Sequence, residues 1–296
     1  MSQQATVFLS YTQAELDAAY DQTVWAPNME QVSLRFVRAS VRTRSRLGGP
    51  RRLAYGPTDI EHIDFFPARG ASGPAPLVIY VHGGAWHARS VRNYEFLAEP
   101  FVNAGAHFAA LEFISVDDTG GDLFPMAAQV RAAIAWLARN AQELRVDPGR
   151  IHLSGHSSGA HLAAVALTTD WTGEYGLAAD LLTSAVLVSG LYDMQPVRLS
   201  ARGDYVHFTD QMEQVMSSQR HLHRIVTPAI VVHGTEESPE FQRQSREFAQ
   251  ALAAAGKPVE YVVAEGYNHF DVLETMGNPY GLVGALALRQ FGLQAQ

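Results

Sequence analysis

Short apolar runs recur along the chain, with longer helix-like stretches between them. Ile63–Phe66, Leu77–His82, Phe108–Phe113, Ile151–Ser154, Ala185–Ser189, Ile230–His233 and Val259–Val263 are mostly apolar at successive positions rather than alternating, the signature of strands covered on both faces. Helical periodicity fills the gaps. Met126, Val130, Ala133 or Ile134, and Leu137 recur after Pro125, and the stretch stops before Val146-Asp147-Pro148-Gly149. A second helix is expected from Pro239, in its first turn, through Phe241, Phe248 and Leu252 to Gly256. The βαβα order predicts a mostly parallel central sheet with helices on both faces.

Ahead of this core, residues 13 to 20 and 28 to 46 read as helices. Met29, Val32 and Phe36 lie on one side of the second, and Leu34, Val37 and Val41 on another, so burial on more than one face is expected. Such an extension either caps a site or packs against the sheet edge. Arg42 to Arg52 carries five arginines around Gly48-Gly49-Pro50 and reads as a solvated linker in preference to an anion-binding patch. No composition break divides the chain, so one domain over 1–296 is expected, with an N-terminal helical extension over 1–55 and a catalytic core over 56–296.

The chemistry centres on Gly155-His156-Ser157-Ser158-Gly159, between the strand-like Ile151–Leu153 and the helix-like Ala160–Leu167. In that setting G-x-S-x-G describes a nucleophile elbow, a strained strand-to-helix turn that presents a serine hydroxyl, here Ser157, above the sheet. The glycines let strand and helix approach where side chains would collide. Serine needs a base, and the base needs an acid to hold its tautomer. After the run ending at His233-Gly234 come Glu236 and Glu237, of which Glu237 is preferred, with Asp271 and Asp193 as further candidates. Behind the last strand lies His269, preferred as base over His233 and His82, whose strand-end settings suit scaffolding. The run Leu77–His82 leads into Gly83-Gly84-Ala85-Trp86, an oxyanion loop whose amides at Gly84 and Ala85 would join that of Ser158. An α/β-hydrolase fold follows, with these groups on loops at the carboxyl ends of strands.

Composition narrows the classes. A net charge of −8 offers no general attraction to nucleic acid or an anionic membrane, and 47% hydrophobic residues can form a sizeable core. The absence of cysteine excludes disulfides and thiolate metal sites. No leader-like segment or membrane-length apolar run occurs, so a cytoplasmic protein is expected. His156 and His161, and His221 and His223, are spaced closely, but no H-E-x-x-H accompanies them and a metal-dependent hydrolase is disfavoured. No cofactor is called for, and a homodimer is left open. Near the site in sequence, Trp86, Tyr192, His207 and Asn268 are candidate substrate contacts, and Tyr94, Tyr205, Phe208 and Tyr267 are further candidates for an aromatic wall, with core packing the alternative for each aromatic residue.

The combination of His82-Gly83-Gly84-Ala85-Trp86, Gly155-His156-Ser157-Ser158-Gly159-Ala160-His161-Leu162, Gly190-Leu191-Tyr192-Asp193, Glu237-Ser238-Pro239-Glu240-Phe241 and Asn268-His269-Phe270 resembles the kynurenine formamidase (arylformamidase) group of α/β-hydrolases, related to the hormone-sensitive-lipase-like esterases. The resemblance runs from about residue 11 to 292 and maps the triad acid onto Glu237. Animal members have aspartate at that position, alanine at 158, and tyrosine or glycine at 85. The resemblance implies a Ser-His-Glu hydrolase forming an acyl-enzyme from N-formyl or small-acyl aryl amines. A carboxylesterase on small esters uses the same parts, whereas a non-catalytic binding module on this fold would be expected to lose some of them.

Overall fold

The computed structural model describes residues 5–87 and 90–295. Its first strands, β1 (Thr6–Phe8) and β2 (Tyr11–Thr12), form a small antiparallel pair. Eight more build the central sheet: β3 (Arg51–Ala54), β4 (His62–Phe66), β5 (Ala75–Val81), β6 (His107–Leu111), β7 (Val146–His156), β8 (Ser184–Val188), β9 (Ala229–Gly234) and β10 (Val259–Ala264). Their spatial order is β10-β9-β8-β7-β5-β6-β4-β3; β5 to β10 run parallel, and the β3–β4 end is antiparallel. The expected mostly parallel α/β-hydrolase architecture is therefore present. All seven expected strands occur, with ends displaced by a few residues.

Two details differ from the sequence expectation. The arginine-rich segment is not a solvated linker: residues 42–47 complete a helix, Arg51–Ala54 pairs with β4, and Arg46 and Arg52 are bound to Glu99 and Asp64. Strand β7 starts five residues earlier than its apolar run. Asp147-Pro148-Gly149-Arg150 bulges out between the Ala75–Val146 and Leu77–Ile151 pairs, where a proline need not donate to the ladder.

Strand alternation divides the core into two layers. Leu77, Ile79, Val81, Leu153 and Val231 face one; Val78, Tyr80, Phe108, Val186 and Val232 face the other. The extension consists of helices α1 (Gln13–Tyr20), α2 (Gln22–Trp25) and α3 (Met29–Leu47). Leu16 and Tyr20 of α1 join the first layer, and Val32 and Phe36 of α3 join the second, so the extension straddles the sheet. The second apolar side of α3 is not buried, contrary to expectation: Leu34, Val37 and Val41 are exposed, the first two along the rim of a cavity. Among the described residues no helix is long and apolar enough to cross a membrane.

Candidate active site

In the sheet the chain steps from β5 to β6 on one side and then to β7 on the other, so the loops leaving the carboxyl ends of β5 and β7 diverge and open a crevice between them. Val81 pairs with Gly155, which brings the Gly83-Gly84 loop beside Ser157. The elbow is tight. Ser157 has φ 57° and ψ −128°, and its N–H is held by the carbonyl of Val188 at 2.9 Å, a backbone region kept only where the surroundings impose it. A Cβ on Gly159 would lie 2.2 Å from the carbonyl oxygen of Val81, and one on Gly155 would lie 2.5 Å from that of Gly159.

The last two strands supply the partners. Glu237, on the turn after β9, is buried; its Oε1 accepts from the Gly234 N–H at 2.7 Å and the Ser189 hydroxyl at 2.6 Å. Its Oε2 is 2.7 Å from Nδ1 of His269, on the loop after β10. A hydrogen on Nδ1 shared with the carboxylate leaves Nε2 as the ring's lone pair, able to take a proton. Phe241 and Phe270 meet the imidazole edge-on, with ring centroids 4.7 and 5.3 Å away. The structure thus brings Glu237 and His269 together. The other acids stand elsewhere: Glu236 is exposed, Asp193 faces Arg220, and Asp271 binds Asn28 and Arg35. His233 contacts the Tyr261 hydroxyl, and His82 pairs with Glu112.

Ser157, His269, Gly84 and Ala85 line one cavity of about 730 Å³, whose far wall is built from α1, α2 and α3. The extension therefore lies over the site. Asn28, ahead of α3, accepts from Asn268 Nδ2 at 2.8 Å and donates to Asp271, tying it to the His269 loop. Gly84, Ala85 and Trp86 all have positive φ (128°, 55° and 65°), turning this loop around the crevice. The Ser158 hydroxyl accepts from the Trp86 N–H at 3.2 Å, and among the described residues the amides of Gly84, Ala85 and Ser158 have no backbone acceptor. Free amides on the elbow and the facing loop can receive a developing oxyanion.

Of the expected substrate contacts, Tyr94 and Tyr205 line the cavity, whereas Trp86, Tyr192, His207, Asn268, Phe208 and Tyr267 do not. Trp86 is buried and donates its indole N–H to His161; Tyr192 is fully buried and stacks on Phe248 at 4.1 Å. His207 is exposed and bonded to the Gly120 carbonyl, and Asn268 caps its own loop through the Phe270 and Asp271 amides. Closeness in sequence to a strand end did not bring these side chains into the crevice. Beside Tyr94 and Tyr205 the cavity presents Tyr20, Phe36, Phe270 and Arg202. His156, whose Nε2–H donates to the His269 carbonyl at 2.8 Å, and Ser189 also went unassigned as site residues, although both sit at strand ends beside quoted motifs. Burial holds the His156 pKa well below its ordinary value, so it donates as a neutral ring. His156 and His161 use their ring nitrogens on separate protein partners; among the described residues there is no cluster of three or more potential metal ligands.

Comparison with known proteins agrees with this arrangement. The prolyl oligopeptidase family model matches residues 127–279, and one described as BD-FAE matches residues 63–186. The kynurenine formamidase of Danio rerio is 31% identical, covering 96% of this chain and 98% of its own. Esterase LipC of Mycobacterium tuberculosis is 27% identical over 76% of this chain and 60% of its own. Among solved structures, a candidate thioesterase from Silicibacter sp. TM1040 superposes with a TM-score of 0.80 at 23% identity, covering 92% of this chain and 98% of its own. From an elbow serine, a carboxylate-bound imidazole and a near full-length match, it follows that the chain belongs to the kynurenine formamidase family of α/β-hydrolases and is a serine-hydrolase-type enzyme of amide or ester bonds.

Proposed function

We propose that Ser157 is the nucleophile, His269 the general base and acid, and Glu237 the triad acid of an arylformamidase-like reaction on N-formyl or small-acyl aryl amines. The observation that carries this reading is the Glu237–His269 contact of 2.7 Å beside a cavity that Ser157 also lines. Ser157 Oγ attacks the carbonyl carbon as Nε2 of His269 takes its proton; Glu237 stabilises the imidazolium; the amides of Gly84, Ala85 and Ser158 receive the oxyanion. The C–N bond breaks as His269 returns the proton to the departing amine. Water, deprotonated by His269, then attacks the acyl-enzyme and releases formate or a short carboxylate with Ser157 restored. The aromatic lining at Tyr20, Tyr94, Tyr205 and Phe270 supports an aryl leaving group, as does the name of the Danio rerio relative.

A small-ester carboxylesterase is the second reading, favoured by the likeness to esterase LipC. The two part on chemistry, since an activated ester leaves without protonation and an anilide nitrogen does not. The test is a substrate panel on purified protein: N-formyl aryl amines and matched nitrophenyl esters, with acyl chains from formyl to octanoyl. Formanilides should be cleaved, with a steep fall as the acyl chain lengthens. Good turnover of short esters with formanilides and N-formylkynurenine untouched would transfer the assignment to the esterase.

A further inference from the structure

Glu112, the residue after β6, is a buried carboxylate for which the reaction has no direct use. Its backbone is fixed on both sides: the N–H donates to the His62 carbonyl at 3.0 Å, and the carbonyl accepts from the Tyr55 hydroxyl at 2.7 Å. Among the described residues no arginine or lysine pairs with its side chain. Oε2 accepts from the Val91 N–H at 2.9 Å, and Oε1 lies 3.1 Å from Nε2 of His82. The His82 ring is buried between those of Tyr94 and Phe113, 5.6 and 4.5 Å away between centroids and within 13° of parallel. Its Nδ1 is 2.9 Å from the carbonyl oxygen of Gly83. With a carbonyl on one ring nitrogen and a carboxylate on the other, both nitrogens donate.

A trans peptide points its C=O and N–H in opposite directions, and the described residues contain no cis bond. Because the Gly83 carbonyl is turned toward the His82 ring, the Gly84 N–H of the same peptide is turned away from it. His82 does not line the cavity; Gly84 does, together with Ser157, and its amide has no backbone acceptor among the described residues. The next peptide is set in the same way, its Gly84 carbonyl accepting from the His87 N–H at 3.1 Å and its Ala85 N–H directed oppositely. Two successive glycines would leave such a peptide free to flip without a tether. Translation of the loop toward the elbow is closed off, since a Cβ on Gly83 would lie 2.7 Å from the His156 carbonyl oxygen. The freedom left to fix is the rotation of the peptide plane, and the His82 ring fixes it only while its other nitrogen is held.

We propose that Glu112 is a positioning residue of the oxyanion hole: through His82 it holds the Gly83–Gly84 peptide with the Gly84 N–H toward the cavity. This deepens the serine-hydrolase reading and rests on Ser157 as the nucleophile.

The test reads the oxyanion separately from ligand binding. Phenylboronic acid adds to a serine oxygen as a tetrahedral anion, whereas benzamide, of similar shape, stays planar; both are measured as inhibitors of nitrophenyl acetate hydrolysis, with active chains counted by titration with an organophosphonate fluoride. Glu112→Leu should lower kcat per active chain by about thirtyfold, short of the hundredfold or more that follows deletion of a donor, with KM within about twofold. It should weaken phenylboronic acid by a similar factor and leave benzamide within about twofold. In Glu112→Gln the amide oxygen can still accept from Val91 and the NH2 can donate to a ring that keeps its Nδ1 hydrogen on Gly83, so this variant should stay within about threefold of the parent. Adding Glu112→Leu to His82→Phe should cost little beyond His82→Phe alone, because both act through one contact. Equal weakening of phenylboronic acid and benzamide overturns the proposal, as does unchanged phenylboronic acid affinity, a Glu112→Gln loss as large as that of Glu112→Leu, or a double variant whose loss is the product of the two single losses. Should Glu112→Leu fail to fold, Glu112→Asp, a methylene too short to hold both His82 and Val91, carries the same comparison with the same outcomes. Phenylboronic acid affinity that survives Ser157→Ala overturns the nucleophile assignment itself, a result read apart from the Glu112 variants.

Discussion

Glu237 has three hydrogen bonds on its two carboxylate oxygens, all from donors. An amide in its place would turn an N–H toward one of them. Glu237→Gln is therefore expected to lower turnover by about a thousandfold or more, through loss of the imidazole tautomer and its counter-charge. Glu236→Gln, on an exposed side chain, should stay within about twofold; steady-state kinetics on a short nitrophenyl ester compares them, and the reverse ranking would contradict the assignment. The sequence located this acid to a pair of neighbours because its place after a buried strand is set by the fold class, but adjacent residues on a turn point in different directions and only the folded chain separates them. Trp86 and Tyr192 show the opposite limit. Their positions beside motifs suggested a substrate wall, yet both rings are consumed by packing.

Among the elements, the elbow is the most constrained. Gly159 sits where any side chain meets the Val81 carbonyl, part of β5, and neither strand nor helix can shift without opening the crevice. Gly159→Ala should cost on the order of 3 kcal/mol or more, or prevent folding, measured by urea denaturation. Stability within about 0.5 kcal/mol of the parent would mean the approach is looser than described. The motif, the seven strands and the helices after Pro125 and at Pro239 were legible because their apolar spacing matches one period over a buried length. Strand β3 was not: Arg51-Arg52-Leu53-Ala54 is a four-residue edge with mostly exposed side chains, so no alternation toward a core marks it. The second apolar stripe of α3 misled for a related reason, since a cavity rim leaves apolar residues exposed much as an unpaired face does.

At the scale of the whole molecule, several histidines are buried in a neutral state. Desolvation lowers His152 and His161 to about 4 from an ordinary value of 6.5, and lowers His107 and His156 as well. Between pH 6.5 and about 4 the unfolded chain binds protons that these folded rings refuse, so stability is present above pH 6.5 and is lost as the pH falls. A displacement of this size amounts to about 3 kcal/mol for each of His152 and His161. Burial raises the Glu95 carboxyl, which acts in the opposite sense but is a single group. The urea midpoint should therefore fall steadily from pH 6.5 to 4.5, and a midpoint that is flat or rising would contradict this. The same fold that buries these rings carries α1 across one core layer and α3 across the other, placing the extension over the carboxyl ends of the strands; the sequence marked the helices but not which side they cover. The chemistry of the cavity depends on the serine beneath that extension. Peptide mapping by mass spectrometry after reaction with an organophosphonate fluoride tests it most directly: one adduct per chain is expected, on Ser157, with labelling and turnover both lost in Ser157→Ala, whereas a label on another residue, or turnover in Ser157→Ala within a few-fold of the parent, would contradict it.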